Sequence, residues 1–454
     1  ASDLRPRPAT RRSGRESSQP GSTSPATQST SNPSPTSASA HIRDTTDTPS
    51  VGPNRKEAMV QRGMVIGYPS DAELEAAVRQ TLDAHWVAEG YAAPHATVYP
   101  WQWLWDSCFH VLVWLELGEV DRAQRELATA FGPQTASGFV PHINYVRSPG
   151  FHYDLWGRRD GSSITQPPMY GYAAAELARA GHQPTEEVLA AATAGLRFLL
   201  DHRRNPSGLV RVCHPWETGA DDSPRWDDHC PGDFDRDRWR ITKDRLVSLF
   251  ETGPDGEALT NPAFDVAPVG FNALVAFNAR ELAGITGDDR LADDAKVLAG
   301  ALADRWDPVL GTWVDECSDT SGSSSSRTTE GLLPLLVETA PGRAAKVVDQ
   351  LLDPTAHGAP FGPTGVHRAE PSFDPRAYWR GPVWPQIAYL LVLAVAPHSP
   401  TAAATLARAT VAGAWSSSLA EYWDPDTGEG LGALPQSWSG LALVLARRWG
   451  GGAG

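Results

Sequence analysis

The pattern that most constrains the fold is a series of twelve segments in which apolar residues recur at helical spacing. Leu291, Ala295 and Leu298, for example, lie four and then three positions apart, on one face of a helix. Strand-like runs are short and do not alternate with helices, so we predict an all-α protein. The predicted helices cover residues 71–87, 105–117, 120–131, 168–180, 185–203, 267–285, 288–306, 328–338, 342–352, 382–396, 401–418 and 437–449.

The connections between these helices alternate in length. Links of two to four residues follow the second, fourth, sixth, eighth and tenth helices, whereas long links follow the odd-numbered ones. Because short links join antiparallel neighbours, every long loop must lie at the same end of the assembly. Six helical hairpins closed into a ring, an (α/α)6 barrel, satisfy this condition most simply. The third long loop, 204–266, is predicted to hold a further helix near 235–250.

Charge and composition exclude several classes of protein. The 454 residues include 39 basic and 54 acidic side chains, and the resulting net charge of −15 argues against nucleic-acid binding. No run approaches the ~20 apolar residues that span a bilayer. The four cysteines show no CxxC spacing, and the sequence has no metal-ligand set or cofactor-binding motif. We therefore predict no metal and no cofactor, and we expect a cytoplasmic protein.

The N-terminal segment differs from the rest of the chain. Residues 1–50 contain 27 Ser, Thr or Pro, and their only larger apolar side chains are Leu4 and Ile42. Such a segment cannot bury enough apolar surface to offset its ordering entropy. It also lacks the apolar stretch of a secretory signal. We predict a disordered extension at 1–57 and one folded domain at 58–454.

Tryptophan indicates which end of the barrel is functional. Twelve of the 17 tryptophans lie in the long loops or at their edges, whereas core packing alone would distribute them along the helices. An indole face can stack against the C–H surface of a sugar, whose hydroxyls need polar partners. The mouth formed by the long loops is therefore predicted to bind carbohydrate.

The first long loop ends in the segment Tyr99-Pro-Trp101-Gln-Trp103-Leu-Trp105-Asp106. Alternate side chains of an extended segment point the same way, so the three tryptophans favour one wall of a binding site. The alternative is that Asp106 caps the following helix and that the rings only pack against the protein.

Four carboxylates within eleven residues mark the third long loop: Glu217, Asp221, Asp222 and Asp227. A general acid must hold its proton near neutral pH. An apolar wall or a neighbouring negative charge raises a carboxyl pKa in that direction, and this segment supplies both. The alternative is a structural salt-bridge cluster around Arg225.

The fifth long loop ends in Tyr378, Trp379 and Arg380, and Trp384 lies in the first turn of the helix predicted at 382–396. The guanidinium of Arg380 can fork a carboxylate, either of the protein or of a substrate. Alternatively, the segment forms only a turn and the start of the helix.

The sixth and second long loops hold the remaining candidate residues of the site. Glu421 precedes a predicted tight turn at 424–428, so its carboxyl group is the one left for chemistry. A calcium loop is the alternative, although Pro425 and the spacing do not match the EF-hand pattern. His142 and Gln166 are candidate partners for sugar hydroxyls, or else satisfied structural groups.

Glycoside cleavage needs two carboxyl groups, and these loops supply them. One group protonates the leaving oxygen, and the other activates water or attacks the anomeric carbon. A non-catalytic sugar-binding toroid is an alternative that would not need the acids. Another α/α-toroid carbohydrate enzyme, a lyase or an epimerase, is a third possibility; a lyase of acidic polymers would favour a basic cleft.

These segments together resemble glycoside hydrolase family 63. The resemblance implies an (α/α)6 barrel that hydrolyses α-glycosides with inversion. The likeness is carried, in order across residues 64–450, by Trp103-Leu-Trp105-Asp106, Trp216-Glu217-Thr-Gly219-Ala-Asp221-Asp222, Tyr378-Trp379-Arg380-Gly381-Pro-Val-Trp384, Glu421-Tyr-Trp-Asp-Pro-Asp-Thr-Gly428 and Gln436-Ser-Trp438.

The resemblance also implies roles for single residues. Asp221 is similar to the general acid and Glu421 to the base that activates water; Asp222 or Glu217 is the acid if the loop is aligned differently. The short chain resembles the bacterial mannosylglycerate and glucosylglycerate hydrolases. This implies as its partner a small carbohydrate such as glucosylglycerate, mannosylglycerate or a short α-gluco-oligosaccharide, and neither nucleic acid nor a membrane. The residues predicted to bind substrate, from the resemblance and the loop segments together, are Tyr99, Trp103, Trp105, Asp106, His142, Gln166, Trp216, Gly219, Tyr378, Trp379, Arg380, Trp384, Gln436 and Trp438.

Overall fold

The structure is a computed structural model that describes residues 57–61, 64–317 and 325–450. The predicted extension at 1–57 lies outside the described residues except for its last position, so the extension and the domain boundary stay predictions. The described chain begins with an antiparallel hairpin of strands β1 (Glu57–Gln61) and β2 (Met64–Tyr68).

Twelve helices form two concentric rings in the described part of the chain. The inner ring consists of α2 (Leu104–Glu116), α5 (Tyr170–Arg179), α8 (Val269–Thr286), a 3-10 helix (Thr329–Leu336), α11 (Pro385–Val395) and α13 (Leu441–Trp449). The outer ring consists of α1 (Asp71–His85), α3 (Val120–Ala130), α6 (Glu186–His202), α9 (Asp289–Ala303), α10 (Pro341–Leu352) and α12 (Pro400–Ser416). The long connections hold α4 (Tyr153–Trp156), α7 (Arg236–Val247) and the 3-10 helices Pro215–Thr218, Pro224–His229 and Ser437–Gly440.

The inner helices contact one another in chain order, and the ring closes. α2 packs on α5, α5 on α8, α8 on the 3-10 helix, this helix on α11, and α11 on α13, which returns to α2. Each outer helix packs on a member of the inner ring. The predicted (α/α)6 barrel is therefore confirmed.

Residue patterning explains which helices lie inside. α11 buries ten of its eleven residues, whereas α3 buries four of eleven. A helix that is apolar all round must be surrounded by protein, and a helix with one apolar stripe lies at the surface. Within the described ranges, no helix combines the length and the apolar character needed to cross a membrane.

The inner helices begin at the mouth that carries the long loops. The outer helices α1, α6, α9 and α12 are capped by the side chains of Ser70, Thr185, Asp288 and Ser399. By contrast, α2, α5, α8, α11 and α13 have no side-chain hydrogen bond at their N-caps. The positive ends of their dipoles therefore face the mouth, where side chains of the long loops accept some of the first N–H groups, as Asp315 does from Val269 and Gln166 from Trp105.

Short antiparallel strand pairs hold the long loops in place. The pairs are β3 (Gln102–Trp103) with β4 (Ile143–Asn144), β5 (Glu251–Thr252) with β6 (Ala258–Thr260), β7 (Val266–Ala267) with β10 (Glu316–Cys317), β8 (Trp306–Asp307) with β9 (Thr312–Trp313), and β11 (Tyr422–Trp423) with β12 (Gly430–Leu431). Two pairs, β3–β4 and β7–β10, join one long loop to the next, so the loops form a connected rim.

The predicted elements differ from the observed ones in two places. The segment predicted as a helix at 328–338 is a 3-10 helix at Thr329–Leu336, with Pro334 inside it. Proline lacks an N–H, and its ring clashes with the carbonyl four residues earlier, which disfavours an α-helix. The short helix α4 was not expected. The helix expected near 235–250 is present as α7.

Candidate active site

The four predicted loop segments meet at the mouth of the barrel. The indole of Trp438 lies edge-to-face with those of Trp105 and Trp384, with ring centroids 6.0 Å apart in both pairs. A Cβ added to Gly219 would overlap the ring of Trp105, so the second segment reaches the same place. Segments that are more than 300 residues apart in the sequence therefore share one aromatic wall.

Glu421 lies at the base of this wall, just before β11. Its side chain is buried, with 4% of the residue exposed. One carboxylate oxygen accepts the N–H of Ala433 at 2.8 Å, and the other accepts the hydroxyl of Tyr99 at 3.1 Å. Burial raises the pKa of Glu421 to about 7 in spite of these two donors, which lower it. The group therefore exchanges a proton near neutral pH while its carboxylate form is held by two hydrogen bonds.

Asp221 lies in the turn between the two 3-10 helices of the third long loop. Its backbone carbonyl accepts the indole N–H of Trp239 at 2.9 Å, and the preceding carbonyl accepts that of Trp226 at 2.7 Å. Burial raises the pKa of Asp221 to about 7; Lys243 opposes this shift and the neighbouring Asp222 adds to it. The residue nevertheless keeps part of its surface open to solvent, as a group that meets a substrate must.

The carboxyl groups of Asp221 and Glu421 raise the pKa of the same two tyrosines. The pKa of Tyr99 is raised well above its usual value by burial, by Glu421 and by Asp221. The pKa of Tyr378 is raised likewise, by burial, by Asp221, by Tyr99 and by Glu421. The charge of Asp221 also contributes to the raised pKa of Glu421. Both carboxyl groups therefore lie close enough to the same two phenols to shift their pKa values.

A stack of three aromatic rings forms one side of the mouth. The rings of Trp379 and Trp384 are parallel, with their centroids 3.7 Å apart. The ring of Tyr422 also stacks on that of Trp384, with their centroids 4.5 Å apart. Tyr378 meets all three rings edge-on. Trp379 has a φ of +59°, a left-handed backbone that is costly for a bulky residue. The strained backbone at Trp379 therefore coincides with the position at which its ring joins the stack.

A second aromatic row forms another side of the mouth. Trp103 contacts Tyr99 and His142 edge-on, and the row continues through Trp156 to Trp216. The predicted extended run of tryptophans is thus only partly found, because β3 ends at Trp103 and the next tryptophan already belongs to α2.

Three predicted polar groups have distinct surroundings. His142 lies 2.5 Å from the hydroxyl of Ser162, and burial lowers its pKa to about 3, so it is a neutral ring. Gln166 accepts the backbone N–H of Trp105 at 3.3 Å. The carbonyl oxygen of the buried Gln436 side chain has no hydrogen-bond partner among the described residues. It is therefore free to meet a ligand.

Asp106 is not the N-cap residue of α2. The N-cap position is Trp103, without a side-chain hydrogen bond, whereas the carboxyl of Asp106 accepts the backbone N–H of its own residue in the first turn. Asp106 is buried in the first turn, and burial raises its pKa to about 7. Its charge adds to the raised pKa of Glu421, which places Asp106 near that carboxyl group.

The two other candidate acids of the third long loop form ion pairs. Glu217 pairs with Arg203 at 2.7 Å and accepts two backbone N–H groups. Asp222 pairs with Lys243 at 2.5 Å and with Arg236 at 3.2 Å. Neither has the surroundings of a free acid, so Asp221 remains the candidate.

Of the two arginines in these loops, Arg225 differs from expectation, and Arg380 follows one of its two predicted alternatives. Arg225 does not gather the carboxylates of its own loop; it pairs with Asp315, with N–O distances of 2.5 and 2.7 Å. Arg380 forks a carboxylate of the protein, because it donates to both oxygens of Asp227 at 2.8 and 2.7 Å. Both guanidinium groups therefore stabilise loops.

The segment after Glu421 is the predicted tight turn. Asp424 accepts the backbone N–H groups of residues 426 and 427. Asp426 and Glu429 pair with Arg368 and Arg376 across the loop. In the part of the chain that the structure describes, no group of three His, Cys, Asp or Glu side chains is placed to hold a metal ion.

Sequence reasoning missed four residues of the site. Tyr422 follows Glu421 directly and could have been included on that ground. Arg236 and Lys243 lie on α7, which was expected as a helix but not considered for its charge. Gly432 packs so closely on Glu421 that a Cβ would overlap its carboxylate; its sequence context gives no signal.

The helical ring, its tryptophan-lined mouth and the buried carboxyl groups define a carbohydrate-active (α/α)6 barrel. The sequence model of one protein family, the mannosylglycerate hydrolase MGH1-like glycoside hydrolase domain, matches residues 99–439 of this chain. The mannosylglycerate hydrolase of Thermus thermophilus is 30% identical over 408 residues, 79% of this chain and 97% of the relative. The glucosylglycerate hydrolase of Mycolicibacterium hassiacum is 28% identical over 424 residues, 78% of this chain and 92% of the relative.

Solved structures agree with these relatives. A family 63 mannosylglycerate hydrolase from Thermus thermophilus, crystallised in complex with Tris and D-glycerate, superposes with a TM-score of 0.73 at 28% identity, over 83% of this chain and all of that one. Neutral trehalase from Saccharomyces cerevisiae, 15% identical with a TM-score of 0.55, shares the fold over 79% of this chain and 73% of that one. The chain therefore belongs to the mannosylglycerate hydrolase-like members of glycoside hydrolase family 63. It is a glycoside hydrolase, and the predicted family is confirmed.

Proposed function

We propose that this chain is an inverting α-glycosidase in which Asp221 is the general acid and Glu421 the general base. One observation carries the proposal: Asp221 and Glu421, 200 positions apart in the sequence, both raise the pKa of the same two phenols, Tyr99 and Tyr378. Burial raises the pKa of each carboxyl to about 7. Such a pair can hold one proton to give and one carboxylate to accept a proton near neutral pH.

The surroundings of the two groups support this division of roles. The carboxylate of Glu421 is stabilised by the hydroxyl of Tyr99 and the N–H of Ala433. Asp221 accepts no side-chain hydrogen bond from the described residues. Burial favours its protonated form, Lys243 opposes this effect, and the negative charge of Asp222 adds to it. The first environment suits a base that takes a proton from water, and the second suits an acid that donates one to the glycosidic oxygen.

The remaining polar groups suit a single sugar ring between the two carboxyl groups. The buried carboxyl of Asp106 and the unpartnered oxygen of Gln436 can bind ring hydroxyls. Trp105 and Trp384 supply the apolar faces. Water reaches the anomeric carbon from the Glu421 side, opposite the leaving oxygen, so the configuration inverts.

The named activities of the relatives guide the choice of substrate. They are mannosylglycerate and glucosylglycerate hydrolases. We extend this to an α-linked glucosyl or mannosyl glycerate, or a short α-gluco-oligosaccharide, as the carbohydrate partner of this chain in the cytoplasm.

Hydrolysis followed by NMR tests the proposal. Purified protein is incubated with glucosylglycerate, mannosylglycerate, kojibiose and nigerose, and the anomeric proton signals are recorded from the first minutes. We expect at least one substrate to be cleaved with the β-anomer released first, before mutarotation. Release of the α-anomer first would reject inversion, and a lack of turnover on all four would reject the assigned substrate class.

A further inference from the structure

Three polar side chains lie buried in a row between α2, α3 and the end of the sixth long loop, and they form the Glu126–His110–Ser437 triad. The imidazole of His110 lies 3.2 Å from the carboxylate of Glu126 through Nδ1 and 2.7 Å from the hydroxyl of Ser437 through Nε2. All three residues are 0% exposed. Burial of ionisable groups costs free energy that apolar residues of similar volume avoid, so the triad needs an explanation beyond packing.

The triad has the same order of groups as a hydrolytic serine triad, but its serine is too deeply buried to meet a substrate. A carboxylate only accepts hydrogen bonds, so Nδ1 of His110 carries a proton and Nε2 is directed at Ser437. Three further donors hold the carboxylate: the N–H of Ala92 at 2.8 Å, the hydroxyl of Ser107 at 2.7 Å and the indole N–H of Trp114 at 3.2 Å. Glu126 therefore fixes the imidazole, and the imidazole fixes the hydroxyl of Ser437.

The backbone that carries Glu421 is strained. Ser418 and Leu419 have φ values of +58° and +61°, in the left-handed region that side chains disfavour. Such a conformation persists only where the surrounding structure holds it. The carbonyls of residues 419, 420 and 421 accept, in this order, the N–H of Gln436 at 2.8 Å, the hydroxyl of Ser439 at 2.5 Å and the indole N–H of Trp438 at 3.0 Å. The position of Glu421 therefore depends on segment 436–439.

Within this segment, Ser437 bonds in another direction. Its N–H donates to the carbonyl of Pro94 at 3.0 Å, and its hydroxyl meets His110. Pro94 lies in the first long loop, five positions before Tyr99, which donates to the carboxylate of Glu421 at 3.1 Å. Ser437 therefore joins the two segments that hold Glu421, one through its backbone and the other through its carboxylate.

Resting on the proposed function, we infer that His110 is a positioning residue: its bond to Ser437 holds the general base Glu421 in the place from which it activates water. The alternative is that the triad only stabilises the core. The two roles differ in their consequences. Positioning depends on the Nε2 contact and acts on kcat, whereas core stability depends on the buried volume and acts on folding.

Two substitutions of His110 separate its two contacts. In His110→Asn the amide lies about where Nδ1 lay, so the contact with Glu126 is kept and that with Ser437 is lost. In His110→Gln the amide lies about where Nε2 lay, so the contact with Ser437 is kept. Both variants remove buried ring atoms and should melt at lower temperature.

Steady-state kinetics should distinguish the two variants below their melting temperatures. His110→Asn should lower kcat about tenfold or more, with KM within about threefold of the wild type. His110→Gln should restore kcat to within about threefold of the wild type. Equal losses of kcat in the two variants would overturn the inference, because the loss would then follow the removed volume.

Ser437→Ala removes the same contact without altering α2, and it should reproduce the loss of kcat in His110→Asn. Ser107→Ala is the matched control, because Ser107 is equally buried and donates to Glu126 rather than to His110. It should lower the melting temperature and keep kcat within about threefold. Wild-type kcat in Ser437→Ala, or a comparable loss of kcat in Ser107→Ala, would overturn the inference.

The Glu421→Gln background separates this inference from the proposed function. Adding Ser437→Ala to Glu421→Gln should lower the residual single-turnover rate by less than about threefold, because no base is left to position. A further loss of about tenfold would show that the triad acts elsewhere, so the inference would be wrong and the function would stand. Near-normal turnover in Glu421→Gln alone would instead reject the proposed base, and the inference with it.

Discussion

At the scale of single residues, the two carboxyl groups of the proposed active site reduce the stability of the folded protein at neutral pH. Asp221 and Glu421 have pKa values of about 7 in the folded protein, against ordinary values of 3.8 and 4.5. A carboxyl whose pKa is raised by folding destabilises the folded state as the pH rises from the unfolded value to the folded one. Above pH 7 both groups are ionised in surroundings that disfavour their charge, so the full destabilisation of the folded state is present.

Amide substitutions should expose this conflict. Asp221→Asn and Glu421→Gln cannot ionise, so each should lower kcat by about a thousandfold while the protein stays folded and binds sugar. Each should also raise the free energy of unfolding at pH 8 by on the order of 2 kcal/mol. The gain should disappear near pH 3, below the ordinary values of 3.8 and 4.5, where the wild-type groups are largely protonated in both states. Thermal melts near pH 3 and near pH 8 and single-turnover assays measure the two effects.

Asp244→Asn is the matched control, because Asp244 lies at the surface of α7. It should change neither turnover nor the pH dependence of the melting temperature. Near-normal turnover in Asp221→Asn or Glu421→Gln would remove that residue from its assigned role.

The sequence alone distinguished the proposed catalytic residues from other charged residues only in part. Asp221 and Glu421 were identified by their motifs, yet Glu217 was as good a candidate as Asp221 on composition alone. Its pairing with Arg203 depends on a contact between loop and outer helix that local sequence does not show. Arg236 was missed for a related reason: a polar helix such as α7 looks like a solvated face until its partner is known.

At the scale of elements, the alternation of short and long links predicted the barrel because antiparallel hairpins leave few ways to arrange six pairs. The details that failed are those set by local backbone chemistry. Pro334 converts one inner helix to a 3-10 helix. The two-residue strands of the rim are too short to leave a periodic pattern, and they depend on pairing between different loops.

The loop that carries the acid should be sensitive at Gly219. This residue has a φ of +75°, and a Cβ there would overlap the indole of Trp105. Gly219→Ala should therefore displace both the ring and the turn that holds Asp221, lowering kcat/KM by about tenfold or more. Backbone strain alone should destabilise the protein by about 1–3 kcal/mol.

Gly118→Ala isolates the backbone contribution. Gly118 has the same φ of +75°, but no atom lies within 4 Å of its added Cβ, and it is in a short link at the other end of the barrel. This variant should lose stability to a similar backbone strain and keep wild-type kcat/KM. Equal activity losses in the two variants would mean that contact with Trp105 is unimportant for the acid loop.

At the scale of the whole molecule, the ring is closed by its last helix. α13 packs on α1, α2, α11 and α12. Arg447 donates to the carboxylate of Asp71 and the carbonyl of Glu116, and Arg448 pairs with Glu116 at 2.7 Å. The C-terminal helix therefore joins the first and last hairpins, and a ring without it would leave the apolar faces of its neighbours open to water.

Two truncations should accordingly have opposite effects. Removal of residues 1–56 leaves every helix of both rings intact, so kcat/KM should be unchanged and the melting temperature should stay within about 1 °C, roughly the shift that 1 kcal/mol produces in a domain of this size. Removal of residues 441–454 keeps the candidate site residues but opens the ring, so cooperative unfolding and activity should both be lost. Calorimetry and the hydrolysis assay measure both variants. A large loss on N-terminal truncation would show that the folded unit extends before residue 57, because the ring-closing contacts among the described residues all lie after it.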